Sequence, residues 1–164
     1  MHANPAPSSR DFQPDAAEFW QACPTMTDPF NLQRFVDAQA AVYADVLDEL
    51  RASEKTSHWI WFIFPQLKEL GRSPVAKHYG ITSLAEAIAY LEHPLLGQRL
   101  LKCTELMLAA KGRAALEILG SPDDLKFRSC MTLFRAARPD LPVWQAALDQ
   151  YFGGKADAAT VGLL

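Results

Sequence analysis

The sequence is poor in cysteine, and its cysteines are not spaced as a disulfide framework or a zinc site requires. It has three, Cys23, Cys103 and Cys130, an odd number without a CxxC pair. A nucleophilic cysteine would also need a neighbouring base, which the sequence does not place. We interpret all three as packing residues, because free cysteine is often buried. Reduced cysteines are typical of a cytoplasmic protein.

The chain also lacks a basic excess and long apolar runs. Lys and Arg number 16 and Asp and Glu 19, which leaves a net charge of −3. This balance disfavours nucleic acid as a partner, since phosphate affinity needs surplus Lys and Arg, but it is compatible with a local basic pocket. The longest strongly apolar run, residues 59–64, is much shorter than the about 18 residues of a membrane span. No secretory signal is visible at the first residues. We expect a cytoplasmic protein without a membrane partner.

The length of 164 residues predicts one domain with a full core. Periodicity is interrupted before residue 26 by Pro5, Pro7, Pro14 and Pro24. We expect residues 1–25 to be a poorly ordered extension, with at most a short helix at 16–21, and residues 26–164 to form the domain.

Helical spacing of apolar residues continues through most of that domain. Asp28 and Pro29 are typical of a helix start and predict an amphipathic helix over about 29–52. Ser83 and Glu86 have the spacing of a capping box. A helix after Ser121-Pro122 should bury Phe127, Cys130, Met131, Phe134 and Ala137.

The apolar run at 59–64 fits either a buried strand or a short buried helix, because every position in it is apolar. One strand cannot make a sheet. The spacing therefore predicts an all-α fold, a single compact domain of about six to eight unequal helices.

Several segments together resemble an uncharacterised bacterial family, a domain of unknown function sometimes labelled "calpastatin" in genomes, although nothing here looks like a repeated inhibitor motif. The matching residues are Asp28-Pro29-Phe30, Leu32-Gln33-Arg34-Phe35, His58 through Gln66, Gly71-Arg72-Ser73, Tyr79, Glu86-Ala87, Tyr90-Leu91, Pro94 through Leu100, Asp124-Leu125-Lys126 and Ser129 through Phe134. The match covers about 26–154. The resemblance implies a small all-α domain with a helical, central Trp/Phe-rich segment.

With this segment helical, residues His58, Trp61, Phe62 and Pro65 would share a face. An imidazole beside an indole, with the Gln66 amide nearby, would suit a planar ligand. The alternative is a core helix whose buried His58 is satisfied by a backbone group.

Other polar residues of the matching segments could join such a site. Arg72 can form a forked contact with a carboxylate or phosphate, and Ser73 adds a hydroxyl, although both also fit an ordinary turn. Lys126, Ser129 and Thr132 follow at i, i+3 spacing beside an apolar face. Such groups line a pocket or bond to helix carbonyls.

These residues, with Tyr79, include cations and neutral groups but no prominent acid. We therefore predict a site for a small anionic or nucleotide-like metabolite, with Trp61 as the stacking platform and no metal or cofactor. His58 is our candidate for acid–base chemistry, since its unperturbed pKa is near neutrality. The alternative function is a non-catalytic interaction module whose Trp/Phe segment only forms the core or an oligomer contact. The sequence decides neither whether the protein is an enzyme nor its oligomeric state.

Overall fold

A computed structural model describes residues 27–164. The expected extension at 1–25, its short helix at 16–21 and Cys23 lie outside the described residues.

The first predicted helix is two helices. Helix α1 spans Gln33–Ala40 and α2 spans Tyr43–Arg51. The single helix predicted over 29–52 is therefore wrong, because Val42, a β-branched residue with φ −122°, leaves the helical conformation between them. The Asp28 carboxylate does accept free amides at the helix start, those of Leu32 and Gln33 at 2.7 and 2.9 Å. The helix nevertheless begins at Gln33, so the prediction that Pro29 is the first helical residue is wrong.

The later helices are short. They are α3 (Ile60–Ile63), α4 (Pro74–His78), α5 (Leu84–Glu92), α6 (Leu96–Ala109), α7 (Ala115–Leu119), α8 (Asp123–Ala137), α9 (Val143–Phe152) and α10 (Ala158–Leu163), with a 3-10 helix at Lys68–Leu70. The all-α prediction is confirmed within residues 27–164, where a single isolated bridge pairs Leu67 with Ile81. The helices outnumber the six to eight expected because the long one is broken and loop turns are helical. None of them is long and apolar enough to cross a bilayer.

Helix α8 organises the core. It packs against α3, α5, α7, α9 and α10. Its predicted apolar face is buried as expected at Phe127, Cys130, Met131, Phe134 and Ala137. Phe127 meets Phe64 edge to face, with the ring centroids 4.8 Å apart. The Trp/Phe segment is thus packed directly against α8.

The segment at 59–64 is helical only over α3. Trp59, Ile60, Ile63 and Phe64 are buried. Phe64 has φ −120° and ψ 72°, because the residue before a proline is disfavoured in helical conformation. His58, Pro65 and Gln66 therefore lie outside the helix, and the helical face proposed for His58 and Trp61 does not exist.

A buried ion pair joins α1 to α5. Arg34 Nη2 lies 2.7 Å from Glu86 Oε1, and the two side chains are 11% and 2% exposed. Ser83 Oγ accepts the Glu86 amide, as the capping box predicts. The Glu86 carboxylate does not return to the cap residue, since its second oxygen accepts the Thr82 amide and hydroxyl.

Candidate functional site

Trp61 is the residue of the apolar segment that offers an indole to solvent. Its neighbours Trp59, Ile60 and Ile63 are at most 2% exposed, whereas Trp61 is only partly buried. Phe62 is also partly buried, but its ring packs edge to face on Tyr79 at 5.3 Å. Because the adjacent side chains are buried in the core, the Trp61 indole lies at the edge of the packed interior.

Lys126 of α8 lies over this indole. Its ammonium nitrogen is 5.2 Å from the centre of the Trp61 ring, a cation–π distance. The sequence placed both residues in one site, and the structure brings them together across 65 positions of the chain. Trp61 and Lys126 are called the indole–lysine face below.

An acid lies beside this face, so the prediction of a site without acids is wrong. Asp123 Oδ1 is 3.6 Å from the Lys126 ammonium, and its Oδ2 is 2.9 Å from the ammonium of Lys55. Lys55 is 6% exposed and lies over the Trp59 ring at 5.1 Å. Asp123 is therefore closer to the Lys55 ammonium than to the Lys126 ammonium, and Lys126 is the more weakly paired of the two lysines.

His58 is exposed and immediately precedes Trp59. The expectation that it is buried and needs a backbone partner is wrong, because the helix starts only at Ile60 and the chain before it turns outward.

The loop that carries His58 is anchored by Glu49 of α2. The Glu49 carboxylate accepts the Ser57 hydroxyl, the amides of Thr56 and Ser57, and the indole N–H of Trp59, the last at 2.8 Å. Burial opposes its ionisation, but these hydrogen bonds prevail and lower the pKa of Glu49 from 4.5 to about 2.

Glu49→Gln should destabilise the protein by about 2 kcal/mol at neutral pH, after a discount for partial exposure. The folded-state pKa is below the unfolded one, so this stability is complete above about pH 4.5 and is lost as pH falls toward 2. Urea unfolding of wild type and variant at pH 7 and pH 2.5 measures it. Glu54→Gln, at an exposed position of the same loop, is the control. A difference that stays constant with pH would contradict the charge-based account.

The hydroxyls of Ser129 and Thr132 are used inside the fold. They are 6% and 1% exposed, and they donate to the carbonyls of Leu125 and Arg128 at 3.1 and 2.8 Å. Thr132 Oγ1 also accepts the Asp157 amide. Thr132 lines a cavity of about 530 Å³ whose lining includes neither Trp61 nor Lys126.

The remaining predicted residues lie along the segment 66–82. Ser73 accepts the Ala76 amide and caps α4, while Arg72 is exposed. The Gln66 carbonyl accepts the Ile81 amide, so the two ends of this segment run side by side. The Tyr79 ring packs on Phe62 and Phe35. This group is joined to α3 through the Tyr79–Phe62 contact.

Two of the cysteines and one histidine have structural roles. Burial raises the pKa of the Cys103 thiol to about 12, and it raises the pKa of Cys130 well above its ordinary value. Neither is prepared to act as a nucleophile. His93 Nδ1 accepts the amides of Leu95 and Leu96 at the start of α6.

The family model described as a protein of unknown function, DUF1810, matches residues 29–164. The chain belongs to this family. It is also similar to the conserved hypothetical protein Rv1873 from Mycobacterium tuberculosis. That crystal structure has a TM-score of 0.82 and 55% identity, over 84% of this chain and 98% of the other. No curated protein matches. The resemblance to an all-α family of unknown function is confirmed.

The sequence did not indicate the roles of Asp123, which lies beside Lys126, or of Lys55 and Glu49, which contact Asp123 and Trp59. Glu49 sits on the polar side of an amphipathic helix, and Asp123 sits in a helix first turn, where acids are common. Both patterns predict that these carboxylates point into solvent. Only the fold, which brings the loop between α2 and α3 against both carboxylates, shows that they have partners.

Proposed function

We propose that this protein binds a small anionic molecule with a planar ring, of the nucleotide class, on the indole–lysine face in the cytoplasm. The observation that carries the proposal is the Lys126 ammonium 5.2 Å from the partly exposed Trp61 ring. An indole supports stacking of a base, and an ammonium beside it pairs with a phosphate or carboxylate.

The charges around Lys126 are compatible with an incoming anion. Lys55 remains paired with Asp123 at 2.9 Å when Lys126 turns away from its 3.6 Å contact. The Asp123 charge therefore stays compensated, and Lys126 gains a partner without leaving a carboxylate unpaired.

The other polar residues of the predicted site differ in whether their side chains are free to bind a ligand. His58 is exposed and is the residue we assign to acid–base chemistry if the bound molecule is turned over. Gln66, Arg72 and Tyr79 remain predicted contacts. Ser73, Ser129 and Thr132 are left out, because their hydroxyls serve a helix cap or helix carbonyls.

Lys126→Met should weaken binding of AMP about tenfold, because one charge-assisted contact is lost while an unbranched side chain of similar length is kept. Trp61→Ala should weaken it at least as much, since stacking contributes about 1–3 kcal/mol per base. Thermal shift of the full chain with AMP, adenosine, ribose 5-phosphate and ADP-ribose measures both, because a ligand of the folded state raises Tm.

Lys102→Met removes the same charge from an exposed position on α6 and is the matched control. Binding that the control weakens as much as Lys126→Met, or the absence of any stabilisation across the series, would refute the proposal. His58→Ala should leave AMP binding unchanged and remove turnover of any ligand that is processed.

A second candidate, a non-catalytic interaction module, is favoured by one surface. Leu84, Val161, Leu163 and Leu164 are 38–50% exposed and surround two grooves that share Leu164. Light scattering over a concentration series tests it: a stable oligomer that Leu84→Ser dissociates would support this function, and a monomer throughout would count against self-association.

A further inference from the structure

A groove of about 330 Å³ lies beside the start of α1, and its lining includes neither Trp61 nor Lys126. Its lining combines Arg34 and Glu86 with Lys68, Lys77 and His78 from the segment between α3 and α5. Three of these five are always cationic, in a chain whose net charge is −3.

The groove is held in shape by Arg34. Its guanidinium donates to the carbonyls of Phe30, Asn31, His78 and Gly80 and to the Glu86 carboxylate, at 2.6–3.0 Å. All of its N–H groups have protein partners, so Arg34 fixes the backbone around the groove and is not itself a free ligand donor. The Glu86 carboxylate already accepts hydrogen bonds from Arg34 and from the Thr82 amide and hydroxyl.

Close backbone approach brings the two lysines to one place. The Lys68 amide donates to the Ile81 carbonyl at 2.9 Å. A Cβ on Gly80 would come within 2.4 Å of the Lys68 Cα, so only glycine allows this distance. Lys68 and Lys77 are nine positions apart in sequence, yet they line the same groove.

The ammonium groups of Lys68 and Lys77 are not neutralised within residues 27–164, where no carboxylate lies within 4.0 Å of either. Both side chains are exposed, as is His78. Glu69, adjacent to Lys68 in sequence, lines the neighbouring groove instead.

We infer that this groove binds a small multivalent oxyanion, such as a phosphate ester or pyrophosphate. Two unpaired ammoniums match two negative charges, and an imidazole supplies a further donor. The site is separate from the indole–lysine face and does not need an aromatic ring in the ligand.

Calorimetric titration of the full chain with sodium pyrophosphate at low ionic strength tests the inference. The double variant Lys68→Met with Lys77→Met should lower the affinity about 10–100-fold, because two charge-assisted contacts are lost. The control is Lys102→Met with Lys111→Met, which removes the same charge from exposed positions on and just after α6. The control should retain affinity within about threefold, the residual effect of net charge.

Equal losses in the two double variants would show that pyrophosphate follows net charge and would overturn the inference, as would the absence of binding to wild type. Lys126→Met should leave pyrophosphate binding intact. The double variant Lys68→Met with Lys77→Met should in turn leave the AMP response intact, so that each of the two binding proposals can be refuted without the other. The lysines changed in the two double variants, Lys68, Lys77, Lys102 and Lys111, are all exposed and do not form part of the core. Both double variants should therefore keep the wild-type Tm.

Discussion

Glu86→Gln is expected to lower the free energy of unfolding by about 3–5 kcal/mol. Arg34 is 11% exposed and keeps its full charge, so removal of the Glu86 charge leaves a buried cation without its counterion. The amide also replaces one of the two oxygens that accept Arg34 and Thr82. Urea unfolding at neutral pH measures the loss.

Two comparisons make this result specific to the ion pair. Glu92→Gln changes an exposed glutamate on the same helix and should alter stability by less than about 0.5 kcal/mol. Arg34→Met combined with Glu86→Leu should cost less than the two single changes added together, because neither charge is then left alone. Additive effects would mean that Arg34 and Glu86 are not coupled.

Gly97→Ala should destabilise the protein by about 2–3 kcal/mol, although alanine is the better helix former by about 1 kcal/mol. A Cβ at Gly97 would lie 2.1 Å from the Leu91 carbonyl oxygen. The obstacle is backbone, so α5 and α6 would have to separate where His93 connects them.

Gly162→Ala is the matched change, since a Cβ there meets no atom within 4 Å in α10. Thermal unfolding should show a Tm that is unchanged or raised for Gly162→Ala and lowered by several degrees for Gly97→Ala. A stabilised Gly97→Ala would show that the close approach of α5 and α6 is not needed for the fold.

The periodic part of the fold was predictable from the sequence because it rests on local rules. The face of α8 followed from apolar spacing, and the caps at Asp28 and Ser83 followed from residue type. The break at Val42 did not follow, since the apolar stripe continues through it without a proline or glycine.

The buried polar contacts were not predictable, because their partners are far apart in sequence. Arg34 and Glu86 are 52 positions apart in sequence. The Gln39 amide donates a hydrogen bond to the hydroxyl of Tyr90, which is 51 positions away. Local spacing presents Gln39 as a polar interruption of an apolar face, but its amide also donates to the Phe62 carbonyl at 2.7 Å. Such pairs depend on the tertiary fold.

The candidate site was partly predictable for the same reason. Family resemblance placed Trp61 and Lys126 in one set, and the fold brings them into contact. For Ser129 and Thr132 the spacing left open a pocket role or a bond to helix carbonyls, and both hydroxyls form the bond to a helix carbonyl. The orientation of a polar side chain on a helix flank depends on burial, which spacing does not reveal.

The indole N–H signals of the ¹⁵N-labelled full chain during titration with AMP test binding at Trp61 most directly. Trp59 donates to Glu49, and Trp144 is fully buried, so both report the fold and serve as internal references. We predict that the Trp61 signal shifts progressively to saturation while those of Trp59 and Trp144 stay in place, and that Lys126→Met weakens the response about tenfold. A Trp61 signal that remains unchanged at millimolar AMP would contradict the proposed site.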